Sequence, residues 1–390
     1  MADLPLPDAE SLAHCRRVVG RVHAAIAAAG GWLPFRHYMD LVLHAPGLGY
    51  YAAGAAKLGA SGDFTTAPEM TTLFGAALSS QVAPLLAASE RRELFELGAG
   101  TGRLAASLVR ALAAVDAVPS RYLILETSAD LRARQRALIE RELPEHASRF
   151  AWLDALPARI DGALVANEVL DAIPVDVVAR IEGSWRERGV VVAGPPDPPR
   201  FGLAWADRTA PAQLAARAAA RFPAGGDYVS ELNPAAEALV EDVATRLDGG
   251  GALFIDYGFP AREYYHPQRA MGTLICHYRH RSHDDPFFYP GLGDITAHVD
   301  FTAMGAAAQR GGADVGGYAS QAAFLLGCGI LDRLAAVGPV DSLPYLAAAS
   351  QVQRLLAPSE MGELFKVLGI ARRPGRAWPG FALAAGRHRL

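Results

Sequence analysis

The chain has 390 residues, 51% of them apolar and 20% charged, with a net charge of −4. A chain this long and apolar can bury a sizeable core, which excludes global disorder, and its slight acidic excess leaves no basic field for a nucleic acid. Lys57 and Lys366 are the only lysines, which argues against covalent amine chemistry, and Cys15, Cys276 and Cys328 are odd in number and far apart, without a C-x-x-C pair.

The first ten residues carry Asp3, Asp8 and Glu10 and no apolar run, unlike a secretory or mitochondrial leader. No stretch approaches the ~18 apolar residues of a membrane span. A soluble, cytoplasmic protein with no membrane partner is expected. Ser11 to Ala29 is amphipathic, and 47–62 is rich in Gly and Ala. Thr65-Thr66-Ala67-Pro68-Glu69 then opens one helix running through Phe74, Leu78 and Val82, with Pro and Glu in its first turn. From 93 to 173 strand and helix patterns alternate: Glu93–Leu97, a helix face of Leu104, Leu108 and Leu112, Tyr122–Leu125, a charged helix Asp130–Leu143, Phe150–Leu153 and Ala163–Val165. That alternation predicts an α/β fold with a parallel, doubly wound sheet. Val177–Ile181 and Val190–Val192 read as a hairpin about Glu182-Gly183-Ser184, followed by a proline-rich loop at 194–199. A helix over Pro234–Leu247 leads to a central strand, Ala252–Gly258. A stretch rich in His and aromatic residues follows, then helices to about 357. Leu364–Ile370 and Phe381–Ala385 are expected to close the fold as an antiparallel pair.

Two segments carry the strongest chemical signal. Glu96-Leu97-Gly98-Ala99-Gly100-Thr101-Gly102 lies between a strand and a helix. Glycines there let the backbone turn sharply and let a ligand approach closely. Dinucleotide folds use G-x-G-x-x-G with a pyrophosphate at the helix N-terminus. Here an acid stands two residues ahead of the first glycine, where it would repel a phosphate but suits the ammonium or sulfonium of S-adenosylmethionine. Glu126, closing the next strand, is placed to take both ribose hydroxyls. Asp154, just after the third strand, is a weaker candidate for the adenine amine. The competing reading is a plain turn beside unrelated surface acids.

The second segment is Val165-Ala166-Asn167-Glu168-Val169-Leu170-Asp171-Ala172-Ile173-Pro174, at the carboxyl end of a fourth strand, the edge where open α/β sheets bind ligands. Glu168 and Asp171 are three apart, so a helical turn would place both on one face. Alternatively Asn167 caps a helix and both acids face water. Gly62-Asp63-Phe64-Thr65-Thr66-Ala67-Pro68-Glu69 is, by itself, a turn and helix start. His266, His277, His280, His283 and His298, with Asp294, have no H-E-x-x-H spacing; no metal is expected, and solvated or substrate-contacting histidines fit better.

Together these segments resemble the MidA-like family of class I S-adenosylmethionine-dependent methyltransferases, which includes a mitochondrial complex I assembly-factor arginine methyltransferase. The family pattern G-D-F-x-T-S-P-E matches 62–69 with Ala67 in place of Ser, and E-L-G-P-G-x-G matches 96–102 with Ala99 in place of Pro. A-N-E-F-F-D-A-L-P-V matches 166–175 with Val169, Leu170 and Ile173 as apolar replacements, and D-L-T-A-H-V-D-F matches 294–301 with Ile295 for Leu. The likeness spans roughly 35 to 385. It implies a Rossmann-like core with a cap, and S-adenosylmethionine as cofactor on Glu96, Gly98, Gly100, Gly102, Glu126, Asp154 and Asn167. It also implies a substrate side built from Asp63, Thr66, Pro68, Glu69 and His298; the resemblance leaves the substrate open, and a protein arginine is the expected acceptor.

The expected division is an N-terminal helical, substrate-side segment (1–90), the first part of the cofactor-binding core (91–175), an inserted hairpin cap (176–232), a core helix and strand (233–258), a cap with the His-rich stretch (259–357) and closing strands (358–390). Glu168 and Asp171 are the expected catalytic pair, since paired carboxylates hold a guanidinium bidentately. Two other readings share the glycine loop: a cofactor-binding assembly factor without turnover, and a nicotinamide-dependent oxidoreductase.

Overall fold

A computed structural model describes residues 4–52, 66–372, 378–384, 386, 388 and 390. Its central sheet is built from β1 (Glu93–Leu97), β2 (Tyr122–Leu125), β3 (Phe150–Leu153), β4 (Ile160–Asn167), β5 (Leu247–Phe259), β6 (Asp314–Ser320) and β7 (Phe365–Ala371), in the order β6-β7-β5-β4-β1-β2-β3. Neighbours from β5 to β3 are parallel, while β7 is antiparallel to both β5 and β6. A two-residue strand, Val299–Asp300, extends the far end of β5.

The composition of the strands follows from coverage on both faces. All five residues of β1 are buried, as a parallel strand between two helix layers requires. Leu94, Ile124 and Val165 face one layer, formed by Phe74, Leu78 and Val82 of α1 (Thr72–Ala87) and Leu104, Leu108 and Leu112 of α2 (Arg103–Ala113). Phe95, Leu123 and Leu164 face the other, formed by Val240 and Val243 of α3 (Pro234–Arg246) and Phe301 and Met304 of α4 (Phe301–Arg310). The chain steps outward from β1 to β2 and β3, then returns to the other flank of β1 as β4. The loops after β1 and β4 therefore diverge and open a crevice at the carboxyl edge.

A second sheet stands beside the core. The expected hairpin, Asp176–Ile181 with Ser184–Val192, is joined by Leu203–Thr209, Tyr228–Leu232 and Leu33–Pro34. The N-terminal helices Ala9–Ala28 and Phe35–His44 pack on it through Val22, Ile26, Tyr38 and Val42 against Val177 and Val190. The segment before β1 and the insert after β4 are thus one packing unit.

Three sequence expectations need correction. The helix expected to start at 65 is two elements, a single turn Ala67–Met70 and then α1; Thr71 is extended at the break and its hydroxyl accepts from the Leu73 N–H at 3.3 Å. The stretch 259–357 is not wholly a cap, because α4 and β6 belong to the core. Asp314–Ser320 reads poorly as a strand because of Gly316 and Gly317, whose missing side chains leave room for the rings of Trp378 and Phe381. Finally, Phe365–Ala371 pairs with β5 and β6, and the described residues 381–384 form no strand beside it, Ala385 lying outside the described residues; Pro379–Phe381 is a short helical turn, tied by the Gly380 N–H to Gln81 at 3.1 Å.

Candidate active site

The crevice encloses a cavity of about 290 Å³ at the ends of β1, β2 and β4. Its first wall is the loop after β1. Gly98, Gly100 and Gly102 all lie at left-handed φ (+61°, +52° and +87°), which lets the chain turn back on itself before α2. At Gly98 an added Cβ would meet Val169 at 3.2 Å, so glycine there also admits the loop after β4. Gly102 caps α2 without a side chain, leaving the first N–H groups of that helix unclaimed by any capping side chain. Beneath the loop Glu96 is buried; its Oε2 accepts from the Tyr122 hydroxyl at 2.7 Å. Burial raises its pKa to about 7 against the pull of that hydrogen bond, with the Glu126 charge adding to the rise. Glu126, one residue past β2, is also buried, with Oε1 accepting from the Ser128 N–H at 2.9 Å. Burial lifts its pKa too, opposed by its hydrogen bonds to Ser128 and Gln135.

The opposite wall is the loop after β4. It is not a helical turn: Glu168 sits at φ +53°, a strained setting for a non-glycine residue. The loop is held from β5. Asp256 Oδ2 accepts from the N–H groups of Val169, Leu170 and Asp171 at 3.2, 2.9 and 3.2 Å, and the Glu168 N–H donates to Ile255 O at 2.8 Å. This clamp turns Glu168 and Asp171 into the cavity together. Burial and the neighbouring Asp171 charge push Glu168 up to about 8, although Asn167 Nδ2 donates to it at 3.0 Å and the Ala67 N–H also binds it. Burial raises Asp171 to about 6, opposed by the Tyr257 hydroxyl that donates to its Oδ2 at 2.5 Å. Asn167 Oδ1 and Asp171 Oδ1 are buried and have no hydrogen-bond partner.

The lining is strongly acidic. Glu69, Glu96, Glu126, Glu168 and Asp171 all reach it, with Arg103 the one guanidinium among the described lining residues. Arg103 is already paired with Glu69 at 2.9 Å. A cavity with that balance favours a cation and disfavours a phosphate.

The S-adenosyl-L-methionine-dependent methyltransferase family Methyltransf_28 matches residues 77–319. The chain belongs to that family. A Burkholderia thailandensis protein solved with bound S-adenosyl-homocysteine is 49% identical, with a TM-score of 0.94 and 100% of both chains covered. A native structure from the same organism is 48% identical, with a TM-score of 0.92 and the same coverage. The mouse and zebrafish mitochondrial proteins named protein arginine methyltransferase NDUFAF7 are each 29% identical, over 86% and 88% of this chain and 80% and 85% of their own. The protein is therefore a class I S-adenosylmethionine-dependent methyltransferase, and the nicotinamide alternative is set aside.

The methyltransferase cavity fits its cofactor. The glycine cradle leaves room for a ligand against the backbone, and the acidic lining suits the cofactor's cationic end. Thr66, Pro68 and Glu69 line the cavity as well. Glu69 does not face it freely, however: its carboxylate accepts from Thr101 and from Arg103 and so braces the glycine loop. Asp63 lies outside the described residues. Two expected contacts are displaced. Asp154 is 90% exposed and paired with Arg132 at 2.7 Å, away from the lining, because the chain after β3 turns outward. His298 is packed behind the cavity between Phe259 (5.3 Å, stacked) and Tyr257 (5.2 Å, edge-on), and burial lowers its pKa to about 4. It is a neutral packing residue whose Nδ1–H donates to Thr273 O at 3.3 Å.

Other contributors went unread in the sequence. His44 and Tyr51 line the cavity from the N-terminal unit, stacked at 5.6 Å; His44 Nε2 donates to Ala172 O at 3.0 Å, and the Tyr51 hydroxyl to Asp294 at 2.9 Å. Nothing local in sequence marks them. Asp256-Tyr257 could have been found, since an acid at the carboxyl end of an apolar strand is a ligand-edge signal.

Proposed function

We propose that this methyltransferase transfers a methyl group to an arginine side chain of a partner protein. The observation that carries this reading is the buried, unneutralised pair Glu168 and Asp171, with the free Oδ1 atoms of Asp171 and Asn167 beside it. Three acceptors within one small cavity match a planar guanidinium, which has five donors and no acceptor. The names of the NDUFAF7 relatives support the same acceptor.

Bound S-adenosylmethionine supplies an electrophilic methyl on a sulfonium. Glu96 and the loop from Gly98 to Gly102 hold the charged end of that cofactor, and Glu126 takes the ribose hydroxyls. Glu168 and Asp171 hold the guanidinium, orienting one nitrogen and concentrating its lone pair. With S-adenosylmethionine bound, methyl transfer to that nitrogen would break the methyl–sulfonium bond and release S-adenosylhomocysteine, and the nitrogen's proton would pass to the Glu168 carboxylate, whose buried setting raises its proton affinity. Alignment alone can contribute ~7–11 kcal/mol to such a step. Incubation with methyl-labelled S-adenosylmethionine and a cell extract, followed by acid hydrolysis of the labelled protein, tests the acceptor. Label in methylarginine is expected; label only in methyl-lysine or in small molecules would refute it.

A further inference from the structure

We infer that Gln135 is a positioning residue of the cofactor site, setting the plane of the Glu126 carboxylate and the glycine-loop backbone at once; this rests on the reading of Glu126 as the ribose ligand. Gln135 lies on the helix Ala129–Glu142, which follows β2, and is 0% exposed. Its amide reaches three elements. Nε2 donates to Gly100 O at 2.8 Å and to Glu126 Oε2 at 3.2 Å, and Oε1 accepts from the Trp152 indole N–H, on β3, at 2.7 Å. The indole nitrogen can only donate, and both other partners are acceptors, so the network itself dictates which end of the amide carries the oxygen.

Consider what each carboxylate oxygen of Glu126 has left. Oε1 is taken by the Ser128 N–H and Oε2 by Gln135, so the plane of the group is fixed from two sides. The Thr127 N–H also donates to this carboxylate, and the group as a whole keeps lone-pair capacity for a further donor, so a diol hydroxyl meets an acceptor whose plane is already set. Without Gln135 the carboxylate keeps its charge and position on the chain but can rotate, and Gly100 O loses its donor. A Cβ added at Gly102 would come within 3.5 Å of the Gln135 Cα and Cγ, so the stem of the side chain lies beside the same loop. A residue that only filled space would need none of these three hydrogen bonds.

Gln135→Met keeps the length and burial of the side chain and removes both N–H donors. Calorimetric titration of the whole protein with S-adenosylhomocysteine and with its 2′-deoxyribose analogue tests the inference. In the parent, loss of the 2′-hydroxyl should weaken binding tenfold or more; if it does not, the assignment of Glu126 itself is wrong. Given that loss in the parent, Gln135→Met should weaken S-adenosylhomocysteine at least tenfold and reduce the deoxy penalty to threefold or less. Combining it with Glu126→Gln should add less than threefold to Glu126→Gln alone. Affinity within twofold of the parent, or a deoxy penalty left intact in Gln135→Met, would overturn the role of Gln135 while leaving Glu126 in place. Should Gln135→Met fail to fold, Trp152→Phe decides: it keeps an aromatic ring in place while removing the indole N–H that orients the amide, and should shrink the deoxy penalty in the same direction, whereas an unchanged penalty would reject the inference.

Discussion

Glu168 combines an unfavourable backbone with an unfavourable electrostatic setting, at φ +53° and beside Asp171 in a buried cavity. Such settings persist where the surroundings over-determine them, here through Asp256 and the Ile255 carbonyl. Glu168→Gln keeps the shape and removes the charge. Turnover should fall ~10²-fold or more, with S-adenosylhomocysteine affinity changed little, if the residue, which follows β4, meets the acceptor as proposed. The pH dependence has a defined sign. The carboxylate must be ionised to take up a guanidinium and its proton, and its pKa is raised to about 8, so kcat/KM should climb with pH through about 8. Glu168→Gln should lack that limb, and a profile already flat from pH 6.5 in the parent would contradict the assignment.

At the scale of the element, the two loops that shape the cavity are held in different ways. The loop after β1 depends on glycine. Gly100→Val places a branched side chain at φ +52° and in the ligand's space, and should abolish S-adenosylhomocysteine binding while circular dichroism stays close to the parent's. Binding unchanged by the substitution would show that the ligand lies elsewhere. The loop after β4 depends on the neighbouring strand, chiefly on the Asp256 carboxylate, which accepts from three of its N–H groups. Asp256→Ala leaves the N–H groups of Val169, Leu170, Asp171 and Tyr257 without their acceptor. Unmade hydrogen bonds of buried groups cost ~1–3 kcal/mol each, so denaturant unfolding should show a loss of at least ~3 kcal/mol together with lost turnover. A stable but inactive variant would instead give Asp256 a purely chemical role.

Over the whole molecule, the buried acids tie stability to pH. Glu96 and Glu168 have folded-state pKa values raised to about 7 and about 8, so the folded protein holds protons that the unfolded chain has already released. By linkage, stability falls as pH rises through these values. His298 acts oppositely, because its pKa is lowered to about 4 and the folded state keeps it neutral; its contribution rises with pH only up to the ordinary histidine range near 6.5. Stability should therefore decline between pH 6.5 and 8.5, where the acids act alone. Chemical unfolding at those two pH values measures it, and an increase would mean that these carboxyls are solvated in solution.

Period, turn chemistry and local motif are properties of neighbouring residues, and these were legible along the chain. The alternation over 93–173 determined a parallel sheet, the glycines at 98, 100 and 102 determined a sharp turn into a helix, and the acids at 126 and 168 were recognisable because each ends an apolar strand. Only the tertiary structure decided which side chains reach across. Gln135 on a helix face, Tyr51 after the second N-terminal helix and Asp256 on β5 meet the site through contacts distant in sequence, and no local period encodes them. The same cause explains the expectations that failed. Asp154 and His298 stood at plausible positions in sequence, but the outward turn after β3 carries one into solvent and the rings of Phe259 and Tyr257 close over the other. Strand β6 was hidden because its glycines serve aromatic rings from the C-terminal segment, and a residue chosen to fit a distant neighbour carries little trace of its own local structure.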